Sequence, residues 1–242
     1  MSDSGWHPQV LFRFRPRSEI EAAFDEWQRT THGAQLIDGP GAVHFAYFEC
    51  AADLPQAFRS GVSRMDYYTA RDLDGLFTWM RSDELTRGLS DAERWFGGLN
   101  EVDGQAFSAN VYTPTTVSGP APESELPVFV ERFEVTQTDS TEFDAWFRQE
   151  HVAGIAKQPG VSRVRTFEAV RENVPIASYR SSGNRMLHAE LASTSYRKTL
   201  MGAPLMALLE SSMHWDRRLS YVTRDVFIPM FSFRAHADRQ RV

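Results

Sequence analysis

Residues 186–191 read Met-Leu-His-Ala-Glu-Leu. In an extended strand, neighbouring side chains point to opposite faces. Leu187, Ala189 and Leu191 therefore form an apolar side, and His188 and Glu190 share the other with Met186. An imidazole beside a carboxylate can act as a general base whose cation the carboxylate stabilises, and burial tunes both groups. The competing reading is a satisfied core histidine. Two arginines, Arg13 and Arg132, lie in short aromatic and β-branched runs. Buried guanidinium groups demand carboxylate or carbonyl partners. They would either bind an anionic substrate group or, in the case of Arg132, pair with Glu190.

The chain repeats itself at an offset of 119 residues. Laid over residues 143–168, residues 24–49 match at ten of 26 positions, including Phe24/Phe143, Trp27/Trp146, His32/His151 and Pro40-Gly41/Pro159-Gly160. The register reaches back to Arg13/Arg132 and later drifts by a residue or two, with Arg64-Met65 over Arg185-Met186. In that register His188 falls over Tyr67, and Glu190 over Thr69. One half would then carry the reaction while the other shapes the cavity; we assign the active role to the second half. His44 falls opposite Arg163, with Tyr67 and His44 as candidate substrate contacts beside Arg13 and Arg132. His32 and His151 occur in both halves near the expected ends of helices, where a donor side chain suits the dipole. That placement suggests a structural job.

Each half reads strand, helix, strand, strand, helix, strand. Strands are expected at 10–15, 42–49, 64–70 and 105–112, and again at 128–135, 161–170, 185–192 and 225–233. Helices are expected at 18–33 and 82–96, and at 140–154 and 203–219, with Gly33 and Gly154 as stops. Residues 1–113 form the first unit and 127–242 the second, joined by a Pro/Ser-rich linker at 114–126. The fold class is α+β, with two tandem ferredoxin-like βαββαβ units. Each sheet covers one face with helices, and the two bare faces would pair within the chain around a small-molecule cleft.

The motif Phe143-x-x-Trp146-x-x-x-x-His151 with Pro159-Gly160, repeated as Phe24-x-x-Trp27-x-x-x-x-His32 with Pro40-Gly41, resembles the EthD-type branch of the dimeric α/β-barrel superfamily. The resemblance implies a barrel and a small, often aromatic, substrate. Its members include lactone isomerases, polyketide cyclases, cofactor-free quinone-forming monooxygenases and haem enzymes. On that basis the chain is expected to be a cofactor-independent enzyme performing proton transfer (isomerisation, cyclisation or decarboxylation) on an aromatic or polyketide-like carbonyl compound. His188 would be the base, Glu190 its orienter, and Tyr67 and Arg132 the polarising groups. The alternatives are a non-catalytic metabolite binder and a cofactor-free monooxygenase. No cofactor is expected, with haem or a non-haem metal left open.

Composition narrows the remaining classes. Of 242 residues, 26 are Lys or Arg and 32 are Asp or Glu, so the net charge of −6 disfavours nucleic acid as a partner. A single cysteine, Cys50, excludes an internal disulfide framework and Cys-rich zinc sites. No apolar run approaches the ~20 residues of a membrane span, and a cytoplasmic protein, monomeric or a homodimer of the pseudo-dimer, is expected. Phosphate-loop, dinucleotide and nucleophile-elbow motifs are absent.

Overall fold

The computed structural model describes residues 6–96 and 107–235. Strand β1 (Gln9–Phe14) leads into α1 (Glu21–Trp27), which widens through a π turn at Gln28–His32 and continues as α2 (Gly33–Ile37). After β2 (Ala42–Cys50) and β3 (Arg64–Ala70) come α3 (Leu73–Met80), α4 (Asp83–Phe96) and β4 (Phe107–Ser118). The second half repeats the order: β5 (Val128–Phe133), α5 (Ser140–Trp146), a π turn at Phe147–Val152, α6 (Ala153–Ala156), β6 (Val161–Ala169) and β7 (Arg185–Leu191). It closes with α7 (Tyr196–Leu200), α8 (Ala203–Ser211), α9 (Met213–Arg218) and β8 (Val222–Arg234).

All eight strands form one closed antiparallel barrel in the order β1-β3-β2-β8-β5-β7-β6-β4. Within it, β4-β1-β3-β2 and β8-β5-β7-β6 are two four-stranded runs of the same internal order. The seams are β2 with β8 and β4 with β6. The repeated residues do the same work twice. Phe24 and Trp27 pack with Trp95, and Phe143 and Trp146 with Trp215, at ring separations of 5.1–5.9 Å. Asp25 receives the Arg64 guanidinium, and Asp144 that of Arg185.

Three expectations need correction. The segment expected as a linker from residue 114 is strand as far as Ser118, because β4 extends past Pro114 to pair with β6 across a register shift. Only the stretch beyond it crosses the end of the barrel at which β5 begins. Gly33 and Gly154 do not stop their helices. A Cβ on Gly33 would collide with the Phe45 ring, so this glycine lets the helix lie close on β2. His32 and His151 consequently sit mid-helix, in the π turns. Finally, among the described residues the space between the two sheets is packed with side chains. Leu11, Phe48, Met65, Tyr67, Tyr112, Val130, Phe167, Met186 and Phe227, among others, fill the interior from every strand, as expected of an eight-stranded barrel. Residues 105 and 106, the expected start of β4, lie outside the described residues.

Candidate functional site

Inside the barrel, near the end where β1 and β5 begin, lie several of the residues singled out from sequence. His188 is fully buried, and its Nδ1 accepts from Arg165 at 3.3 Å. A guanidinium only donates, so the imidazole proton sits on Nε2, which has no partner. Burial, then Arg165 and Arg163, push the His188 pKa well below its ordinary value. Glu190 pairs with Arg165 at 3.1 Å rather than with His188, and burial raises its pKa despite that pairing. Tyr67 donates to Glu125 at 3.0 Å, and His44 Nε2 lies 3.0 Å from the same carboxylate. His188, Glu190, Tyr67 and His44 are thus brought together, but by Arg165 and Glu125, which sequence reasoning had not selected. A neutral imidazole facing an arginine is a poor general base, and it opens on packed side chains. The assignment of His188 as base and Glu190 as orienter is therefore corrected.

Arg13 and Arg132 occupy the opposite end, where β1 and β5 finish. Arg13 pairs with Asp225. Arg132 does not reach Glu190: its donors go to Tyr112, Ser108, Tyr221 and the Ser182 carbonyl. The two residues sit at different levels of the barrel, since Arg132 is opposite Met186 whereas Glu190 is opposite Val128.

An apolar cavity lies elsewhere, on the outer face of the first half's sheet beneath the π turn at Gln28–His32, α2 and α4. It measures about 160 Å³ and is lined by Phe12, Phe14, Tyr68, Phe107, Leu36, Leu85, Leu89 and Tyr179, with polar atoms from Gln28, His32 and Asp66. Tyr179, from the loop between β6 and β7, closes over it edge-on to Phe12 with centroids 5.0 Å apart. Alternation along β3 explains the polar floor: Met65, Tyr67 and Thr69 face the barrel interior, so Asp66 and Tyr68 face the helices. Asp66 is 3% exposed, one carboxyl oxygen has no hydrogen-bond partner, and burial raises its pKa well above the usual carboxylate range. His32 lies against the Trp27 ring at 4.4 Å with Nδ1 unpartnered, and burial lowers its pKa to about 4. Such a carboxyl holds its proton tightly and, once ionised, is a strong base in a dry site.

The corresponding place in the second half is filled. His151 is held by Glu131 at 2.5 Å, and Glu131 by Arg224 at 2.8 Å. In the repeat register Glu131 stands over Phe12, Phe147 over Gln28, Leu187 over Asp66 and Ala189 over Tyr68. His151 is thus engaged in a buried chain to Glu131 and Arg224, whereas His32 lines a cavity. The cavity therefore lies in the half that was expected to play the shaping role. Asp66 was detectable from sequence as an acid on the apolar side of a strand whose repeat partner is leucine.

No family model matches the chain, and no curated protein matches it by sequence. Solved structures do. An anthrone oxidase-like protein aligns over 97% of this chain and 96% of its own at TM-score 0.66 and 11% identity. A Fusobacterium nucleatum protein provisionally named a monooxygenase aligns over 94% of both chains at TM-score 0.59 and 8% identity. A Bacillus halodurans protein of the EthD family aligns over 43% of this chain and 95% of its own, at TM-score 0.34 and 19% identity. That last likeness is too slight to argue from, and the first two establish the fold alone. Among the described residues no helix is long and apolar enough to cross a membrane, and no group of three His, Cys, Asp or Glu is placed to hold a metal. Haem does not fit the cavity, whose lining contains two acids and no lysine or arginine to meet the propionates.

Proposed function

We propose that the chain is a small-molecule enzyme in which Asp66 removes a proton from an apolar aromatic carbonyl compound or phenol held against the outer face of the first sheet. The observation that carries this reading is a buried, unpartnered carboxyl in an aromatic pocket. Orphaned polar groups of this kind cost stability and concentrate at working sites. A cavity of about 160 Å³ is close to the size that encloses one benzene ring, so the pocket takes a single ring or the reacting ring of a larger flat molecule. Asp66 takes the proton, the phenol groups of Tyr68 and Tyr179 steady the oxygen that gains charge, and the aromatic walls limit contact with water. The two halves are read as copies of one unit, the first working and the second bracing it, so that one chain suffices.

The names of the similar structures favour dioxygen as the partner of the deprotonated carbon. One ring methylene and one dioxygen then give one carbonyl and one water: one oxygen atom goes to carbon, and the other leaves with both methylene hydrogens. The carbon is oxidised and dioxygen is reduced, with no further reductant. Without oxygen uptake, the same deprotonation serves the isomerase, cyclase or decarboxylase reading. The test is oxygen consumption with anthrone and a dihydroxynaphthalene as probes, for wild type and Asp66→Asn. The expected result is oxygen uptake that falls about 100- to 10,000-fold in the variant. Turnover by Asp66→Asn equal to wild type sinks the assignment. Saturable probe binding with no turnover by the wild type would leave a binding protein.

A further inference from the structure

The Arg13–Arg132 end of the barrel is separate from the pocket, because Arg13 faces the interior while its neighbours Phe12 and Phe14 face the helices. Both arginines are 1% exposed. Both donate to the Tyr221 hydroxyl at 3.1 Å, and Arg132 also lies over the Tyr221 ring at 5.5 Å. Asp225, fully buried, is bound to Arg13 and to the Ser60 backbone N–H. Glu134 is engaged by Arg171 and the Gly183 N–H. The partners of Arg132 are neutral: two phenols, Ser108 and a carbonyl. Two buried positive charges thus face one buried negative charge, and Arg13 Nε has no acceptor. A buried charge without a counter-charge costs several kcal/mol, so a negative charge is missing from this site.

We propose that this end of the barrel binds a small oxyanion, a carboxylate or a phosphate, between Arg13 and Arg132. Tyr221 is only partly buried and stands at the mouth, with Ser60 exposed and Ser108 half-buried beside it. The phenol holds the Nη1 donors of both arginines, and an entering oxyanion takes them over, with the Ser60 and Ser108 hydroxyls as further donors. Two arginines with fixed planar forks suit such a ligand better than lysines would. Burial opposes ionisation of Tyr221, but Arg132 and Arg13 outweigh it and bring its pKa below the ordinary phenol value. An ionised Tyr221 is the rival source of the missing charge.

The experiment is calorimetric titration of the full chain with inorganic phosphate and, separately, with acetate, at constant ionic strength set by chloride. The expected result is saturable one-to-one binding of at least one oxyanion, and the stronger of the two identifies its class. Arg132→Gln should weaken it at least about tenfold. Ser108→Ala, which leaves both charges in place, should weaken it about threefold. Tyr221→Phe should bind at least as tightly as wild type, because the competing hydroxyl is gone. Absence of saturable binding by the wild type overturns the proposal, as does affinity unchanged in Arg132→Gln or Ser108→Ala. An ultraviolet phenolate band in the anion-free wild type at neutral pH, absent from Tyr221→Phe, overturns it too, since the charge then comes from within.

Discussion

Replacing Asp66 by asparagine should make the protein more stable at neutral pH while abolishing turnover. Asp66 is 3% exposed with one oxygen unpartnered, and burial raises its pKa well above the usual range. An acid with a higher pKa folded than unfolded binds more protons in the folded state. Its contribution to stability therefore falls as pH rises from its unfolded value near 4 until the folded pKa is passed. Asparagine has the same shape, stays neutral and leaves a similar buried amide. At pH 4 the two proteins should agree to within about 0.5 kcal/mol. By pH 8 the variant should be ahead by roughly 1–3 kcal/mol, the cost of an uncompensated buried polar group. Urea unfolding followed by tryptophan fluorescence between pH 4 and 8 reads this directly, as a midpoint difference at constant m-value. A variant less stable than wild type at pH 8, or a difference independent of pH, refutes the argument. Either result would mean that Asp66 has a structural partner and is not poised for chemistry.

His32, with its pKa lowered to about 4 by burial, must be neutral to stay buried, so it withdraws stability as pH falls from about 6.5 to 4, by about 3 kcal/mol at most. His32→Phe should remove that acid sensitivity, measured as the unfolding midpoint at pH 4 against pH 7. Glu131→Gln removes the buried charge between His151 and Arg224; because Arg224 keeps Asp216, it should cost about 1–3 kcal/mol in urea unfolding. Gly33→Ala drives a Cβ into the Phe45 ring and should lower stability by about 1–3 kcal/mol, readable in thermal melts.

The barrel was legible because strand alternation and the duplicated Phe-x-x-Trp motif are local signals, visible at fixed spacing. The site was less so. His188 stood out by residue type and alternation, but what surrounds it is Arg165, a neighbour across the β6–β7 ladder, and no spacing along the chain marks such a cross-strand pairing. Glu125 was hidden differently: it lies in a stretch whose composition says linker, and only closure of the barrel brings it onto Tyr67 and His44. Asp66 and Tyr68 were within reach. They alternate with Met65, Tyr67 and Thr69 on β3, which puts them on its helix side. In this barrel the interior between the sheets is filled by side chains such as Phe48, Met65 and Met186, so the cavity falls on the helix side of β3.

The two halves share a scaffold but divide its costs. Five polar atoms around the cavity have no partner: Gln28 Oε1, His32 Nδ1, Asp66 Oδ1 and the Tyr68 hydroxyl from the first half, and the Tyr179 hydroxyl from the β6–β7 loop. At about 1–3 kcal/mol each the sum rivals the whole stability of an ordinary domain. In the second half Leu187, Leu205 and Leu209 fill the corresponding space, and His151 has its carboxylate. The cost around the cavity must therefore be offset by packing elsewhere, including the β2–β8 and β4–β6 seams that tie the two halves together. Amide hydrogen exchange tests this without any variant. Helix α4, roofing the cavity, should open and exchange faster than α8, its counterpart over the filled site, because local opening is easiest where packing is incomplete. Equal protection of the two helices would mean that the first half carries its own cost, and that the polar atoms around Asp66 are satisfied in solution by water.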